Sequence, residues 1–245
     1  MPPETAAALA ALMFAAAVLY SMVGHAGASG YLAVMALFGL APAVMRPTAL
    51  TLNLCVAVVA TATFARAGCF RWPLFWPFAL ASVPCAFLGG MLKLPAGSYR
   101  AVLGLVLLFS ALRLLVPDPR VAEPPRPLPV WLGFGLGALL GLLSGLTGVG
   151  GGIFLSPLLL FARFATARET AGVSAPFILV NSAAGLLGGR DGLVHLPPAW
   201  PVWAAAGIAG GLIGARTGAR KLGTPAIRRV LAAVLGVAAA KMLLG

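Results

Sequence analysis

A chain of 245 residues that is 61% hydrophobic and only 9% charged has too few charged side chains to cover a water-soluble surface of its size. Its formal net charge of +12 would point to nucleic acid in a soluble protein. Here the basic residues are scattered at the ends of apolar runs, where membrane topology and lipid headgroups account for them, so no nucleic-acid partner is expected.

The apolar runs are continuous and rich in Ala, Leu, Val and Gly, which excludes the alternating pattern of outer-membrane strands. Most approach the roughly 20 residues that a helical span needs. The first, 6–23, has no positively charged stretch before it and reads as a retained span, not a signal peptide. A short apolar piece at 31–41 follows, about half a span long. Segments at 47–65, 73–92 and 99–116 come next. The stretch 117–129, PDPRVAEPPRPLP, is too rich in proline to be helical and reads as a semi-rigid connector. Beyond it lie segments at 130–147, 169–189, 199–216 and 226–244, with a second short piece at 153–164. The expected fold is all-α: a polytopic membrane protein of about eight transmembrane helices in two four-helix repeats, 1–116 and 130–245, joined by the linker 117–129.

Internal similarity supports the duplication. Residues 99–115, YRAVLGLVLLFSALRLL, align without gaps on 227–243, IRRVLAAVLGVAAAKML, matching Arg100 to Arg228 and Arg113 to Lys241. Residues 21–38, SMVGHAGASGYLAVMALF, align on 144–161, SGLTGVGGGIFLSPLLLF, matching Gly27 to Gly150 and Phe38 to Phe161.

The second of those stretches contains the densest glycine cluster. Gly148, Gly150, Gly151 and Gly152 within five residues should interrupt a helix, since glycine costs about 1 kcal/mol relative to alanine in a helix interior. Broken backbone survives in a bilayer only when buried in protein or lining a polar cavity. A half-helix beginning after the break would present unpaired N–H groups and a positive dipole end, which suits an anion. The expected substrate-binding residues are therefore Thr147, Gly148, Gly150, Gly151 and Gly152, with Pro157 added by the resemblance of this run to a known family. Gly27, Ser29, Gly30 and His25 join them from the first-half counterpart GHAGASG, and Ser174 and Asn181 from the following span. Gly133, Gly137 and Gly141, four residues apart, read instead as a packing stripe. Asn53 reads as interhelical glue. Asn181 is open between glue and substrate contact, and His25 between a proton carrier and a local hydrogen-bonding role.

No carboxylate lies deep in a span, which favours an anionic over a cationic substrate. Cys55, Cys69 and Cys85 form no CxxC pair and sit near no His cluster, so no metal, disulfide or cofactor is expected. The spans offer no nucleophile with a carboxylate-supported base, so no enzyme is expected. A structural or assembly subunit, with the glycines serving packing alone, remains the alternative to a transporter.

The run GLTGVGGGIFLSPLLL, with its G-x-G-G-G-x-x-x-x-P pattern from Gly148 to Pro157, and the weaker copy GHAGASGYLAVMALFGLAP resemble the TauE/SafE sulfite exporter family. The first-half copy carries fewer glycines than the family pattern. The resemblance implies a multi-pass inner-membrane secondary transporter, an exporter of sulfite or organosulfonates working by alternating access. Its partners would be a small anion and the lipid bilayer, with self-association into a homo-oligomer open. If each of the eight segments crosses once, Arg46, Lys93 and Arg100 share a side with Arg163, Arg168, Arg216 and Arg228. That modest basic excess puts both termini outside. Should the two short pieces cross as well, the repeats would be inverted.

Overall fold

The computed structural model describes residues 2–116, 125–220 and 225–244; part of the expected linker, 117–124, lies outside them. Among the described residues there are ten α-helices, a 3-10 turn at Arg190–His195 and no strand. In the first half they are α1 (Pro3–Ser21), α2 (Ala28–Leu37), α3 (Pro42–Arg66), α4 (Trp72–Met91) and α5 (Ala96–Leu115). In the second they are α6 (Val130–Thr147), α7 (Gly152–Phe161), α8 (Ala167–Gly188), α9 (Trp200–Arg220) and α10 (Pro225–Leu244). Each half thus runs long, short, long, long, long. Six of the long helices, α1, α3, α4, α5, α6 and α8, are long and apolar enough to cross a membrane, and α9 and α10 have 21 and 20 residues.

Local chemistry sets the boundaries. Proline opens α1, α3 and α4 within the first two positions, where its missing N–H costs nothing. A capping box opens α8: the Glu169 N–H donates to the Thr166 hydroxyl, and the Thr166 N–H donates to the Glu169 carboxylate. The third helix starts at Pro42, five residues before the expected boundary at 47. Pro47 lies near enough to the start that the single carbonyl it leaves unpaired is tolerated.

Contacts fix the directions of the helices. Helix α6 runs parallel to α4, with Gly133 on Pro77, Gly137 on Phe78, Gly141 on Ser82 and Gly145 on Ala86. Helix α1 runs parallel to α9 in the same manner, with Gly210 on Phe14, Gly214 on Val18 and Gly218 on Met22. At Gly133 a Cβ would collide with the Pro77 side chain, and at the other six positions with a backbone carbonyl, so glycine is what lets the backbones touch there. Helices α3 and α8 cross antiparallel: Leu50 lies by Gly185 and Asn53 by Ser182, while Ala60 and Phe64 cluster with Ala171 and Ala175.

The molecule therefore has two ends. At the terminal end lie the start of α1, the Arg46 turn of α3, the loop from α4 to α5 and the last turn of α10. At the linker end lie the close of α3, the starts of α4, α6 and α8, and the close of α9, where Arg168 donates to the Ala219 carbonyl. The two short helices each turn the chain back: α2 runs from the middle of the bundle to the terminal end, where Lys241 meets Leu37, and α7 to the linker end, where Arg113 meets Phe161. This corrects the charge partition drawn from eight simple crossings: Arg46, Lys93 and Arg100 lie at the terminal end with Arg190 and Lys241, apart from Arg163, Arg168 and Arg216.

Candidate functional site

Both glycine-rich stretches break the backbone where expected. Helix α6 ends on Gly148 (φ 84°), and α7 starts from Gly151 (φ 78°) after Gly150 (φ 79°). In the first half, Gly24 (φ 78°) and Gly27 (φ 107°) separate α1 from α2. This left-handed region is costly for any residue with a Cβ. Tyrosines hold the two breaks. Tyr31 donates to the Ala26 carbonyl at 2.7 Å, and Tyr99 donates to the Thr147 carbonyl at 3.0 Å.

The two short helices start side by side in the middle of the bundle and run to opposite ends. The ladder of α2 begins with the Tyr31 N–H donating to Gly27, which leaves the N–H groups of Ala28, Ser29 and Gly30 ahead of it. In α7 the Phe154 and Leu155 N–H groups both donate to Gly151, which leaves those of Gly152 and Ile153 ahead. Both sets carry the partial positive charge of a helix N-terminus.

A buried polar chain ties the two starts together. His25 Nε2 lies 2.6 Å from Ser156 Oγ, and Ser156 Oγ lies 2.9 Å from Ser174 Oγ. A Cβ on Gly152 would also press on the His25 ring and on Ile178. From the other side, the Asn53 amide donates to the Val149 carbonyl at 3.4 Å and the Ser182 hydroxyl at 3.3 Å. Asn53 is 0% exposed, and its Oδ1 accepts from no group among the described residues. Gly150 lies directly against this amide, where a Cβ would strike Nδ2.

The expected residues divide accordingly. His25, Gly150, Gly152 and Ser174 converge, with Gly151 at the start of α7 and Ser29 in the first turn of α2. Gly27 and Gly30 shape the approach of α2: a Cβ at Gly27 would meet Tyr31, and one at Gly30 would meet Ala16 and Tyr20. Gly148 lies against Arg46 instead. The Thr147 hydroxyl donates to the Leu143 carbonyl and receives the Val149 N–H, so it is engaged in holding the break. Pro157 removes the helical donor to the Ile153 carbonyl in α7. Asn181 donates to the Phe177 carbonyl of its own helix, with Oδ1 buried and without a donor among the described residues. Ser156, Ser182 and Tyr99 were not expected. Of these, Ser156 carried a signal, sitting four residues after Gly152 in the glycine motif.

A cavity of about 630 Å³ opens at the terminal end. Arg46, Lys93, Tyr99 and His195 line it, with Leu50 and Gly185 placed one turn from Asn53 and Ser182. Arg46 donates to the carbonyls of Gly89, Gly90 and Leu92 at the close of α4. Lys93 faces Asp191 at 3.6 Å. Toward the linker end, in the corresponding place, the described residues are in close contact: Gly24 abuts Ala171, Gly172 abuts Cys69, and Arg71 pairs with Glu169 at 2.8 Å.

A helical bundle of this kind, with two broken helices meeting at a buried polar centre, is a polytopic membrane protein of the transporter class. The family model described as "Sulfite exporter TauE/SafE" matches residues 9–242, and the chain belongs to that family. It is similar to the "Probable membrane transporter protein y4hK" of Sinorhizobium fredii, with 41% identity over 239 residues that cover 96% of this chain and 97% of the relative. No solved structure matches the chain.

Proposed function

We propose that the protein is a secondary transporter that exports small sulfur-containing anions such as sulfite or organosulfonates by alternating access. The observation that carries this reading is the meeting of two half-helix N-termini in a core without carboxylates. An anion there would be stabilised by oriented N–H groups and two dipole ends, with no fixed cation to desolvate. Gly150, Gly151 and Gly152 would let it approach the backbone, with His25, Ser156, Ser174 and Asn53 around it. The buried Asn53 Oδ1 calls for a hydrogen-bond donor, which a protonated oxyanion such as bisulfite carries.

The two halves, 1–116 and 130–245, are read as inverted repeats. Equivalent helices α3 and α8 run antiparallel, and inverted repeats around a central site are a common basis of alternating access. In this arrangement the terminal-end cavity is the open pathway, and the contacts of Gly24, Gly172 and the Arg71–Glu169 pair are the closed gate. The linker end carries Arg66, Arg71, Arg113, Arg126, Arg163, Arg168 and Arg216, against Arg46, Lys93, Arg100, Arg190 and Lys241 at the terminal end. By the positive-inside rule, this basic excess supports the reading that both termini are outside a bacterial inner membrane.

The test is efflux of sulfite and sulfoacetate from proteoliposomes containing the purified protein. Flux above that of protein-free vesicles, saturable in anion concentration, is the expected result. Absence of flux for both anions, with no anion-dependent thermal stabilisation, would sink the assignment.

A further inference from the structure

Arg113 and Lys241 occupy matching places in the last helices of the two halves, and in the structure each reaches across to the other half's short helix. Lys241, near the end of α10, donates through Nζ to the Leu37 carbonyl in the last residue of α2, at 2.9 Å. Arg113, near the end of α5, holds its guanidinium 4.8 Å from the ring centre of Phe161, the last residue of α7. The aligned pair Phe38 and Phe161 marks the same point in both short helices. Thus each short helix has its N-terminus at the proposed anion site and its C-terminus against a cation borrowed from the opposite half.

The bland account of a basic residue at the end of a membrane helix is snorkelling toward the headgroups. Lys241 does not fit it, since its ammonium turns onto a carbonyl of a neighbouring helix. Arg113 makes a different contact: its guanidinium sits over the Phe161 ring while Nη1 donates to the Val116 carbonyl just past its own helix. Both contacts fall on the last residue of a short helix, and both come from residues that the internal alignment pairs. A cation near a helix C-terminus complements the negative dipole end only within the last turn, so what these contacts pass to the N-terminus ten residues away is the direction of the helix.

We propose that Lys241 and Arg113 are positioning residues for the anion site: each holds the last residue of a short helix, so that the N-terminus of that helix stays in place for an anion. Helices α5 and α10 pack against each other, with Leu103 and Leu107 clustered with Leu235, Ala238 and Met242. One rigid pair therefore carries both tethers, and the two short helices are kept in register from outside the site. This inference rests on the anion-site reading above.

The experiment measures sulfite and sulfoacetate binding by thermal shift, and efflux in proteoliposomes, for Lys241→Gln, Arg113→Gln, the double variant and Lys241→Arg. Arg66→Gln, an exposed cation at the close of α3, serves as the control. Removing one tether should weaken anion affinity roughly two- to thirty-fold, the range for residues that act on a site through a rigid element. The effect should fall on KM more than on kcat, with the two losses multiplying in the double variant. Lys241→Arg, which keeps the charge, should retain most of the wild-type affinity, and Arg66→Gln should bind as wild type. A purely structural role would lower the melting temperature without anion and leave the anion-induced shift unchanged; that pattern, or equal losses in Lys241→Arg and Lys241→Gln, overturns the proposal. If the wild type itself neither binds nor moves either anion, the site reading falls and this inference with it. Wild-type binding with unaffected variants removes the inference alone.

Discussion

Gly150 carries two constraints at once: a φ of 79° and an asparagine amide packed where its Cβ would stand. Gly150→Ala therefore has to distort the loop or displace Asn53, and the left-handed conformation alone costs about 1–2 kcal/mol. A lower melting temperature in detergent is expected, together with loss of sulfite efflux. Normal flux in this variant would show that the loop geometry at Gly150 is dispensable. Ser156→Ala tests a different link. It removes the oxygen between His25 and Ser174 and leaves a buried ring nitrogen without that partner, at a cost of about 1–3 kcal/mol. Efflux should fall while the α7 backbone, which does not depend on that hydroxyl, stays formed by circular dichroism. The glycines were legible because consecutive glycines in an apolar run have few structural explanations. Ser156 was not, because a serine in an apolar helix has two outlets. Ser110 turns back onto its own helix at the Val106 carbonyl, whereas Ser156 reaches His25, and only the placement of α2 beside α7 decides between them.

At the scale of elements, the glycine stripes join the halves. The stripe on α6 seats on α4, and Gly210, Gly214 and Gly218 of α9 seat on α1, so each half lends a helix to the other. The stripe of Gly133, Gly137 and Gly141 was legible as packing from its four-residue spacing, but the partner was not, because spacing describes a face and not what covers it. Gly141→Leu would push α6 off the Ser82 carbonyl, and overpacking of this kind costs about 1–3 kcal/mol. Gly135→Leu, on the exposed side of the same helix with open space around it, should be tolerated. Thermal unfolding of the two variants separates them. Equal behaviour would mean that α6 does not lie against α4. The short helices were legible by length, about half a span each. Their direction was not, since a run of ten apolar residues reads alike whether it continues a crossing or turns back.

At the scale of the whole molecule, that direction controls everything else. Because α2 and α7 return the chain, α3 and α8 run antiparallel, and Arg163, Arg168 and Arg216 come to lie at the opposite end from Arg46, Lys93 and Arg100. A cavity with Leu50 and Gly185 in its wall opens at the terminal end, while Ala175, one residue from Ser174, is buried in the cluster toward the linker end. Cysteine accessibility can test both the sidedness and the closed gate. With Cys55, Cys69 and Cys85 replaced by alanine, Leu186→Cys, half-buried on the cavity wall, should react with a membrane-impermeant thiol reagent added to intact cells. Ala175→Cys should stay unreacted from outside, because Phe64 and Ala171 cover it. Cycling by alternating access requires the protection to exchange, so an anion that drives turnover should slow labelling at Leu186→Cys and permit labelling at Ala175→Cys when the reagent is applied to inside-out vesicles. Reaction at Ala175→Cys from outside, with none at Leu186→Cys, would reverse the assignment of the two ends. Unchanged labelling during turnover would separate the cavity from the transport cycle.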